Sequence, residues 1–208
     1  MIGCQRDDGL WIVTLDRPDK ANSLTAPMLE RLVDILAEAA VDPHLRALIL
    51  TGAGERVFSA GADLDAARAG LATSPLWEQV SGAIAALPCL TIAALNGTLA
   101  GGAFGMALAC DIRLSVPTAR FFYPVAKLGF LPQPSDPGRL VALMGPARAR
   151  LLLLGGQTFT AEEALAFGLI DRIIAPAHLL EQARVIAGDA LAGNPDVLRA
   201  IKRMCDRA

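Results

Sequence analysis

Hydrophobic residues along this chain fall into short continuous runs that alternate with stretches of helical spacing. Residues 10–15 form an apolar run that ends at Asp16-Arg17-Pro18, which predicts a strand followed by a turn. Thr25 is a suitable N-cap for a following helix, and Asp42-Pro43 ends it. Between them, apolar residues recur every three or four positions, at Leu29, Leu32, Val33, Leu36 and Ala40.

The same alternation continues through the middle of the chain. Residues 46–51 predict a second strand, and the Ala-, Gly- and Ser-rich residues 65–74 predict a loop with a short helix. A helix is predicted over 75–87, and strands follow at 90–95 and 112–116. Because strands alternate with helices, the pattern predicts an α/β protein with parallel strand pairing and helices outside the sheet.

Turn signals and helix caps organise the second half of the chain. A rigid loop is predicted over 129–138 from its turn-forming residues Gly129, Pro132, Pro134, Pro137 and Gly138. Thr160-Ala161-Glu162-Glu163 has the pattern of a capping box, so a helix is predicted to begin there. Further helices are predicted from Pro176 and from Asn194-Pro195, the last running to Ala208.

The amino-acid composition excludes several classes of protein function. The 208 residues are 53% hydrophobic and 5% aromatic, enough for one sizeable core. The net charge is −2 without a long basic run, so no nucleic-acid partner is expected. No apolar run reaches the roughly 18 residues of a membrane span, and the first eight residues are polar, so we expect a cytoplasmic protein without membrane contact. The four cysteines show no metal-ligand or pairing pattern, which favours reduced thiols and no metal site.

The most informative stretch is the glycine-rich segment 96–111, which leads from one predicted strand through small residues and an apolar helix towards the next. A second glycine-containing turn, residues 58–64, follows the strand that ends at Thr51. A glycine-rich turn that starts a helix leaves backbone N–H groups without acceptors inside the helix. Two such turns can supply two N–H donors to one oxygen, which suits an anion or a developing oxyanion.

These turns, together with other short segments in the same order and spacing, resemble the enoyl-CoA hydratase/isomerase family, also called the crotonase superfamily. The resemblance covers nearly the whole chain. The matching segments are Asp16-Arg17-Pro18 with Asn22-Ser23-Leu24, Arg46 to Gly52, Phe58 to Leu64, Asn96 to Ile112, Phe167 to Asp171 and Asn194-Pro195.

The resemblance implies a fold made of a spiral of ββα units over residues 1–175, followed by a helical segment over 176–208. Relatives usually continue with a further helical segment that covers the active site or a neighbouring subunit. The segment 176–208 is therefore expected to be an incomplete trimerisation region in a homotrimer or a dimer of trimers. Apolar residues in it would need a partner surface: Val185, Ile186, Leu191, Val197, Leu198 and Ile201.

The resemblance also implies an acyl-CoA thioester as the substrate, with coenzyme A as part of it and no separate cofactor. The backbone N–H groups of Ala62 and Gly102 would form an oxyanion hole for the thioester oxygen. Arg17 and Lys20 are cations that could meet phosphates. Substrate and coenzyme A contacts are expected at Lys20, Ala21, Asn22, Ser59, Ala60, Ala62, Asp63, Leu64, Asp65 and Gly102.

Two positions depart from the family pattern. A hydratase of this family uses two glutamates to hold and activate water, one as base and one as acid. By resemblance these would stand at Gly105 and Val125. Neither side chain can transfer a proton, so ordinary water addition is not expected.

Other residues are candidates for the acid and base. Asp136 lies between prolines in the predicted loop, where it is either a buried base with a raised pKa or a solvent-exposed turn residue. Tyr123, the only tyrosine, is either a proton donor or a core residue. Gln133 takes the place of a catalytic Asp of some relatives, and with Ser135 it could orient water.

Several polar or reactive residues are better explained by structure than by catalysis. Asp63 is expected to cap its turn or the following helix, and Asp111 to be buried and hydrogen-bonded at the start of a strand. Cys110 is expected in the core, and His44 and His178 on the surface.

Three functions are compatible with these residues. The first is an enzyme of the family that stabilises an enolate of an acyl-CoA at Ala62 and Gly102. The second is another chemistry of the same fold, such as isomerisation, hydrolysis or decarboxylation, with Asp136 or Tyr123 as acid or base. The third is a catalytically inactive acyl-CoA-binding or assembly subunit. A dinucleotide-binding protein is disfavoured because the spacing of Gly97 to Gly102 does not match GxGxxG.

Overall fold

The computed structural model describes residues 1–205, which contain ten strands and nine α-helices. The strands are β1 (Ile2–Asp7), β2 (Leu10–Leu15), β3 (Ala47–Gly52), β4 (Val57–Ser59), β5 (Leu90–Leu95), β6 (Thr98–Ala100), β7 (Ile112–Ser115), β8 (Arg120–Phe122), β9 (Phe159–Thr160) and β10 (Arg172–Ile173). The α-helices are α1 (Ala26–Val41), α2 (Leu64–Arg68), α3 (Leu76–Ala86), α4 (Phe104–Ala109), α5 (Val125–Leu128), α6 (Asp136–Leu153), α7 (Ala161–Phe167), α8 (Leu179–Ala192) and α9 (Pro195–Cys205). Short 3-10 turns span Pro18–Lys20, Leu71–Thr73, Gly101–Ala103 and Pro176–His178.

The strands form two sheets. The larger has the order β1-β2-β3-β5-β7-β10 and the smaller the order β4-β6-β8-β9. Apart from the β1–β2 hairpin and the β8–β9 pair, neighbouring strands are parallel. The pairs β3/β4, β5/β6 and β7/β8 each place their first strand in the larger sheet and their second in the smaller, and a helix follows each pair. This arrangement is a spiral of ββα turns, so the predicted α/β fold is confirmed.

Burial of apolar side chains in the core explains why the chain forms strand β3 and helix α1 where it does. All six residues of β3 are buried, as expected for a central strand of a parallel sheet covered on both faces. Helix α1 packs against α3 and buries one side, with Met28, Leu29, Leu32, Ile35, Leu36 and Ala39. Each such large side chain contributes roughly 1.5–3 kcal/mol by leaving water.

The structure corrects two predictions and adds strands that the sequence did not predict. The predicted loop 129–138 ends earlier, because α6 begins at Asp136 and Ser135 is fixed by hydrogen bonds to Glu78. Asp111 is hydrogen-bonded to Thr91 as predicted, but its side chain is 29% exposed rather than buried. Strand β1 was missed because its residues are largely polar or partly exposed and do not show a clean alternation. The sequence also gave no prediction for the short strands of the smaller sheet, β4, β6, β8 and β9.

The C-terminal helices carry several exposed apolar residues. Lys202 anchors α9 by donating to the Asp111 carboxylate at 2.9 Å and to the Cys89 carbonyl at 2.8 Å. Val197 and Ile201 remain 55% and 52% exposed. Among the described residues, none of the helices combines the length and the apolar character needed to cross a bilayer.

Candidate functional site

The two glycine turns predicted from the sequence lie against each other. Gly61 has φ +85°, a backbone conformation that side chains disfavour. A Cβ on Gly61 would lie 3.0 Å from the Ala100 carbonyl oxygen and 3.1 Å from the Gly102 nitrogen. Glycine therefore allows the two backbone segments to touch at this point.

This contact brings the two predicted N–H donors to one place. The Ala62 N–H donates none of the hydrogen bonds found within residues 1–205, whereas the neighbouring Gly61 N–H donates to Ser59 Oγ and the Asp63 N–H donates to the Leu24 carbonyl. Gly102 is the second residue of the 3-10 turn Gly101–Ala103, where the first N–H groups have no acceptor inside the turn. A Cβ on Gly102 would lie 3.1 Å from the indole ring of Trp77, so this ring holds the turn in position.

A cavity of about 170 Å³ opens beside these turns. It brings together five of the predicted site residues, namely Ala60, Ala62, Leu64, Gly102 and Tyr123. The rest of its lining is mostly apolar: Ala67, Ala72, Trp77, Ala100, Gly101, Phe122, Pro124, Val125, Leu128, Phe130, Leu131 and Gln133. Small volume, apolar walls and a few polar groups are typical of a site that orients one reactive group.

Tyr123 is the tyrosine that lines this cavity. Its ring stacks on Phe104 of α4, with ring centroids 5.2 Å apart and an angle of 12° between the planes. Its hydroxyl donates to the Asp136 carboxylate at 2.9 Å and accepts from the backbone N–H of Gln133 at 3.4 Å. Tyr123 is therefore both packed in the core and part of the cavity lining, so the two interpretations of this residue are compatible.

Asp136 lies behind Tyr123 and is fully buried. The interpretation of this residue as a solvent-exposed turn Asp is wrong, because the start of α6 turns its side chain into the protein. Oδ2 accepts from Tyr123, but Oδ1 has no hydrogen-bond partner among the described residues. The nearest cation is Arg139, whose Nη1 lies 4.0 Å from Oδ1 and is itself buried without a hydrogen bond among residues 1–205.

These surroundings change the acidity of both groups. Burial raises the pKa of Asp136 to about 6, although the Tyr123 hydrogen bond and the charge of Arg139 lower it. Burial, followed by the nearby Asp136 charge, raises the pKa of Tyr123 above its ordinary value. At neutral pH the proton of this pair therefore belongs to the phenol, and the carboxylate is an ionised acceptor close to its titration range.

The two positions that resemblance assigns to glutamates lie near the same cavity. Val125 lines it, and Gly105 lies buried in α4 with its Cα facing Asp136. Tyr123 and Asp136 are therefore the titratable groups at the place where the sequence lacks both glutamates. The sequence named each as a candidate, but only the structure shows that they are hydrogen-bonded to each other.

Asp63 has the structural role that was predicted for it. Its carboxylate accepts from the N–H groups of Asp65 and Ala66 and so caps α2. It also pairs with Arg17 at 2.8 Å, and this hydrogen bond lowers the pKa of Asp63. Arg17 is thus engaged in the fold, while Asp65 is exposed and pairs with Arg68.

A second, larger cavity of about 910 Å³ contains two of the residues expected to contact coenzyme A, Ala21 and Asn22. Lys20 is exposed at the end of the neighbouring 3-10 turn. The side chain of Asn22 is used structurally, because it donates to the carbonyls of Ala53 and Val57. The Ala21 carbonyl accepts from the N–H of Ala60, which lines the first cavity, so the two cavities adjoin.

The sequence did not point to several residues of this region. Trp77 holds Gly102, Glu78 accepts from Ser135 at the start of α6, and Arg139 is the cation nearest to Asp136. Arg56 lines the larger cavity together with Glu55. In the sequence these residues belong to ordinary helix and loop patterns, so only tertiary contacts could identify them.

Other reactive residues are distant from this chemistry. Cys110 is buried as predicted, and burial raises the pKa of its thiol to about 12. His44 and His178 are exposed, as predicted. Within residues 1–205, no group of three or more His, Cys, Asp or Glu side chains could hold a metal ion.

Comparison with known proteins identifies relatives that match over most of this sequence. The sequence model of the family described as enoyl-CoA hydratase/isomerase matches residues 5–208. A putative enoyl-CoA hydratase/isomerase of Bacillus subtilis, YngF, is 36% identical over 203 residues, which cover 95% of this chain and 78% of that protein. A carnitinyl-CoA dehydratase of Salmonella arizonae is 39% identical over 205 residues, which cover 96% of this chain and 77% of that protein.

Solved structures show the same fold. The crystal structure of an enoyl-CoA hydratase from Bacillus anthracis superimposes with a TM-score of 0.92 at 31% identity, covering 99% of this chain and 82% of that one. The structure of DspI from Pseudomonas aeruginosa superimposes with a TM-score of 0.91 at 29% identity, covering 100% of this chain and 86% of that one.

Proposed function

Because the chain belongs to the enoyl-CoA hydratase/isomerase family, we propose that it is an enzyme that moves a proton at the α-carbon of an acyl-CoA thioester. The backbone N–H groups of Ala62 and Gly102 stabilise the enolate oxygen. Tyr123 and Asp136 accept and return the proton.

The observation that supports this proposal is the double role of Tyr123. It lines the same cavity as Ala62 and Gly102, and its hydroxyl donates to the buried Asp136 at 2.9 Å. A thioester whose oxygen meets the two N–H groups would place its α-carbon in the cavity that Tyr123 lines. A proton acceptor and an oxyanion site are the two components that enolate formation requires.

The proton balance of the step follows from these hydrogen bonds. The α C–H bond breaks, and its electron pair forms the C=C bond of the enolate while the carbonyl π pair moves to the oxygen. The Tyr123 oxygen takes the substrate proton as its own proton passes to Asp136 Oδ2. Return of the proton to the same carbon exchanges hydrogen, whereas its return two carbons further along an enoyl chain shifts the double bond.

Water addition is not part of the proposal. The two family positions for glutamates carry Gly105 and Val125, which cannot activate water. Relatives are named as hydratases, dehydratases and isomerases, so the fold supports several reactions that share an enolate. Isomerisation, thioester or C–C hydrolysis and decarboxylation are compatible with the same oxyanion site.

For coenzyme A, the proposed contacts are the larger cavity at Ala21 and Asn22, the exposed Lys20 and the turn 59–65.

The first experiment incubates the protein with a panel of saturated and 2-enoyl-CoA thioesters in heavy water and follows the masses of the thioesters. We expect deuterium to enter at the α-carbon without addition of water. A hydrated product would contradict our interpretation of Gly105 and Val125. Binding of the thioesters without any mass change would favour the non-catalytic acyl-CoA-binding subunit.

Asp136→Asn tests the acid–base pair. We expect exchange to fall by about 10²- to 10⁴-fold, the usual range for loss of a positioned acid or base, with little change in thioester binding. Asp34→Asn is the matched control, because Asp34 is exposed on α1, outside the cavity lining. Equal exchange rates in the two variants would remove Asp136 from the mechanism.

A further inference from the structure

Gly105 occupies a position where glycine is unfavourable on local grounds. It lies buried inside helix α4, where its backbone is helical and needs no glycine. Glycine in a helix is less stable than alanine because it loses more backbone freedom on folding. The residues directly beside it in the sequence are Phe104 and Met106, so the helix accepts apolar side chains at its buried positions.

The space next to Gly105 is taken by Asp136. A Cβ on Gly105 would lie 3.0 Å from Asp136 Oδ1, 3.6 Å from Oδ2 and 3.4 Å from the Cβ of Ser81. Within the described residues, Oδ1 has no hydrogen-bond donor. The Ser81 hydroxyl is used elsewhere, because it donates to the Glu78 carbonyl.

The other groups that face Asp136 do not supply this donor. Tyr123 donates to the other oxygen, Oδ2. Arg139 reaches only 4.0 Å from Oδ1. Glu78 adds a further negative charge, which disfavours the ionised form of Asp136. An ionised carboxylate with a free oxygen in a buried site is a better proton acceptor than one whose oxygens are both hydrogen-bonded.

We propose that Gly105 is a positioning residue for Asp136: the missing side chain leaves room for the carboxylate and keeps Oδ1 without a donor, so that Asp136 remains a strong proton acceptor for Tyr123. This inference rests on the proposed function for its catalytic meaning, but the effect of Gly105 on Asp136 can be measured without substrate.

The test compares two substitutions that fill the same space. Gly105→Ser adds a hydroxyl that can donate to Oδ1, whereas Gly105→Ala adds a methyl group without a donor. The protonated carboxyl of Asp136 is followed by infrared spectroscopy through its C=O stretching band, identified by its loss in Asp136→Asn. Gly82→Ser is the matched control, because Gly82 lies in helix α3 with nothing within 4 Å of its Cβ position.

We expect the two substitutions to move the titration midpoint of this band in opposite directions. Gly105→Ser lowers it by about one pH unit, since hydrogen bonding favours the ionised form, and Gly105→Ala raises it because the methyl group adds apolar surface. Gly82→Ser keeps the wild-type midpoint. Wild-type midpoints in both Gly105 variants, or equal shifts in one direction, would overturn the proposal. If Gly105→Ser does not fold, an unchanged or lowered midpoint in Gly105→Ala alone would do the same.

Exchange kinetics then separate this inference from the proposed function. We expect Gly105→Ser to lower kcat for α-proton exchange by roughly three- to tenfold with KM unchanged, because a weaker base accepts the proton less readily. In the Asp136→Asn background the same substitution should have no further effect. Absence of exchange in every protein, including the wild type, would reject the proposed function while the infrared result still decides the role of Gly105.

Discussion

The lining of the site cavity has two parts that are built differently. The backbone part consists of the turns at Gly61 and Gly102, which meet because Gly61 has no side chain, while the missing side chain of Gly102 leaves room for the Trp77 ring. The side-chain part consists of Tyr123, with Asp136 behind it, and depends on two residues thirteen positions apart that meet only after α6 has formed. The backbone part therefore depends on glycines that allow a close approach of two chain segments, whereas the side-chain part depends on burial and on a hydrogen bond between side chains.

In the proposed mechanism, this difference separates oxyanion stabilisation from proton transfer. Backbone N–H groups cannot be removed by most substitutions, so the proposed oxyanion site would survive changes in the surrounding side chains. The proposed acid and base could be exchanged for groups from another segment without changing the fold. Under this proposal, a chain without both family glutamates keeps the oxyanion site and takes its proton acceptor from α6.

Disrupting the backbone part is expected to have a large effect, comparable with the lower end of the range given for Asp136→Asn. In Gly102→Ala the new methyl group would lie 3.1 Å from the Trp77 ring, which is rigid, so the turn and its N–H must shift. We expect α-proton exchange to fall by about 10²-fold, as for loss of one oxyanion donor. The measurement is deuterium exchange into an acyl-CoA, with Gly82→Ala as control because that position is open. Normal exchange in Gly102→Ala would argue against this site.

The pH dependence of α-proton exchange tests whether Asp136 acts as the base in the side-chain part of the site. Asp136 must be ionised to accept a proton, and its pKa is raised to about 6 by burial. We therefore expect the rate to rise with pH, to be half-maximal near pH 6 and to fall about tenfold per unit well below it. Loss of deuterium from an α-deuterated thioester in ordinary water measures this profile. A flat profile between pH 4.5 and 8 would indicate a different base.

The same carboxyl should lower the stability of the fold. Because burial raises its pKa to about 6, the native state binds more protons than the unfolded state between about pH 4 and 6, and stability falls as pH rises through that window. Asp136→Asn removes this dependence. As pH rises from 3.5 to 7, we expect the free energy of unfolding of the variant to increase by on the order of 2–3 kcal/mol relative to that of the wild type. Denaturant unfolding of both proteins at pH 3.5 and at pH 7 measures this difference in stability. The same pH dependence of stability in the wild type and in Asp136→Asn would contradict a raised pKa of Asp136.

The smallest effect is expected far from the cavity. Thr160 caps α7 by accepting from the N–H of Glu163, whose side chain accepts from the N–H of Thr160. Thr160→Ala should cost about 1 kcal/mol of stability and leave exchange unchanged. Thermal unfolding and exchange on the same sample test this, and a loss of exchange would show that the site responds to distant changes in the fold.

Much of the fold was predictable because the relevant signals are local. Strand β2 and the capping box of α7 lie where the sequence placed them. Strand β1 and the start of α6 were missed or misplaced, since a polar edge strand lacks alternation and prolines at 132–137 indicate a turn more strongly than a helix start.

The sequence by itself determined the two glycine turns, because a close backbone approach leaves few residue choices, and it named both Tyr123 and Asp136 without deciding between their interpretations. Only the tertiary structure decided that Asp136 is buried, that it accepts from Tyr123 and that Gly105 leaves room for it. The physical reason is that burial and hydrogen bonding depend on segments far apart in the chain, so the same Ser-Asp-Pro sequence suits an exposed turn as well as a buried acid.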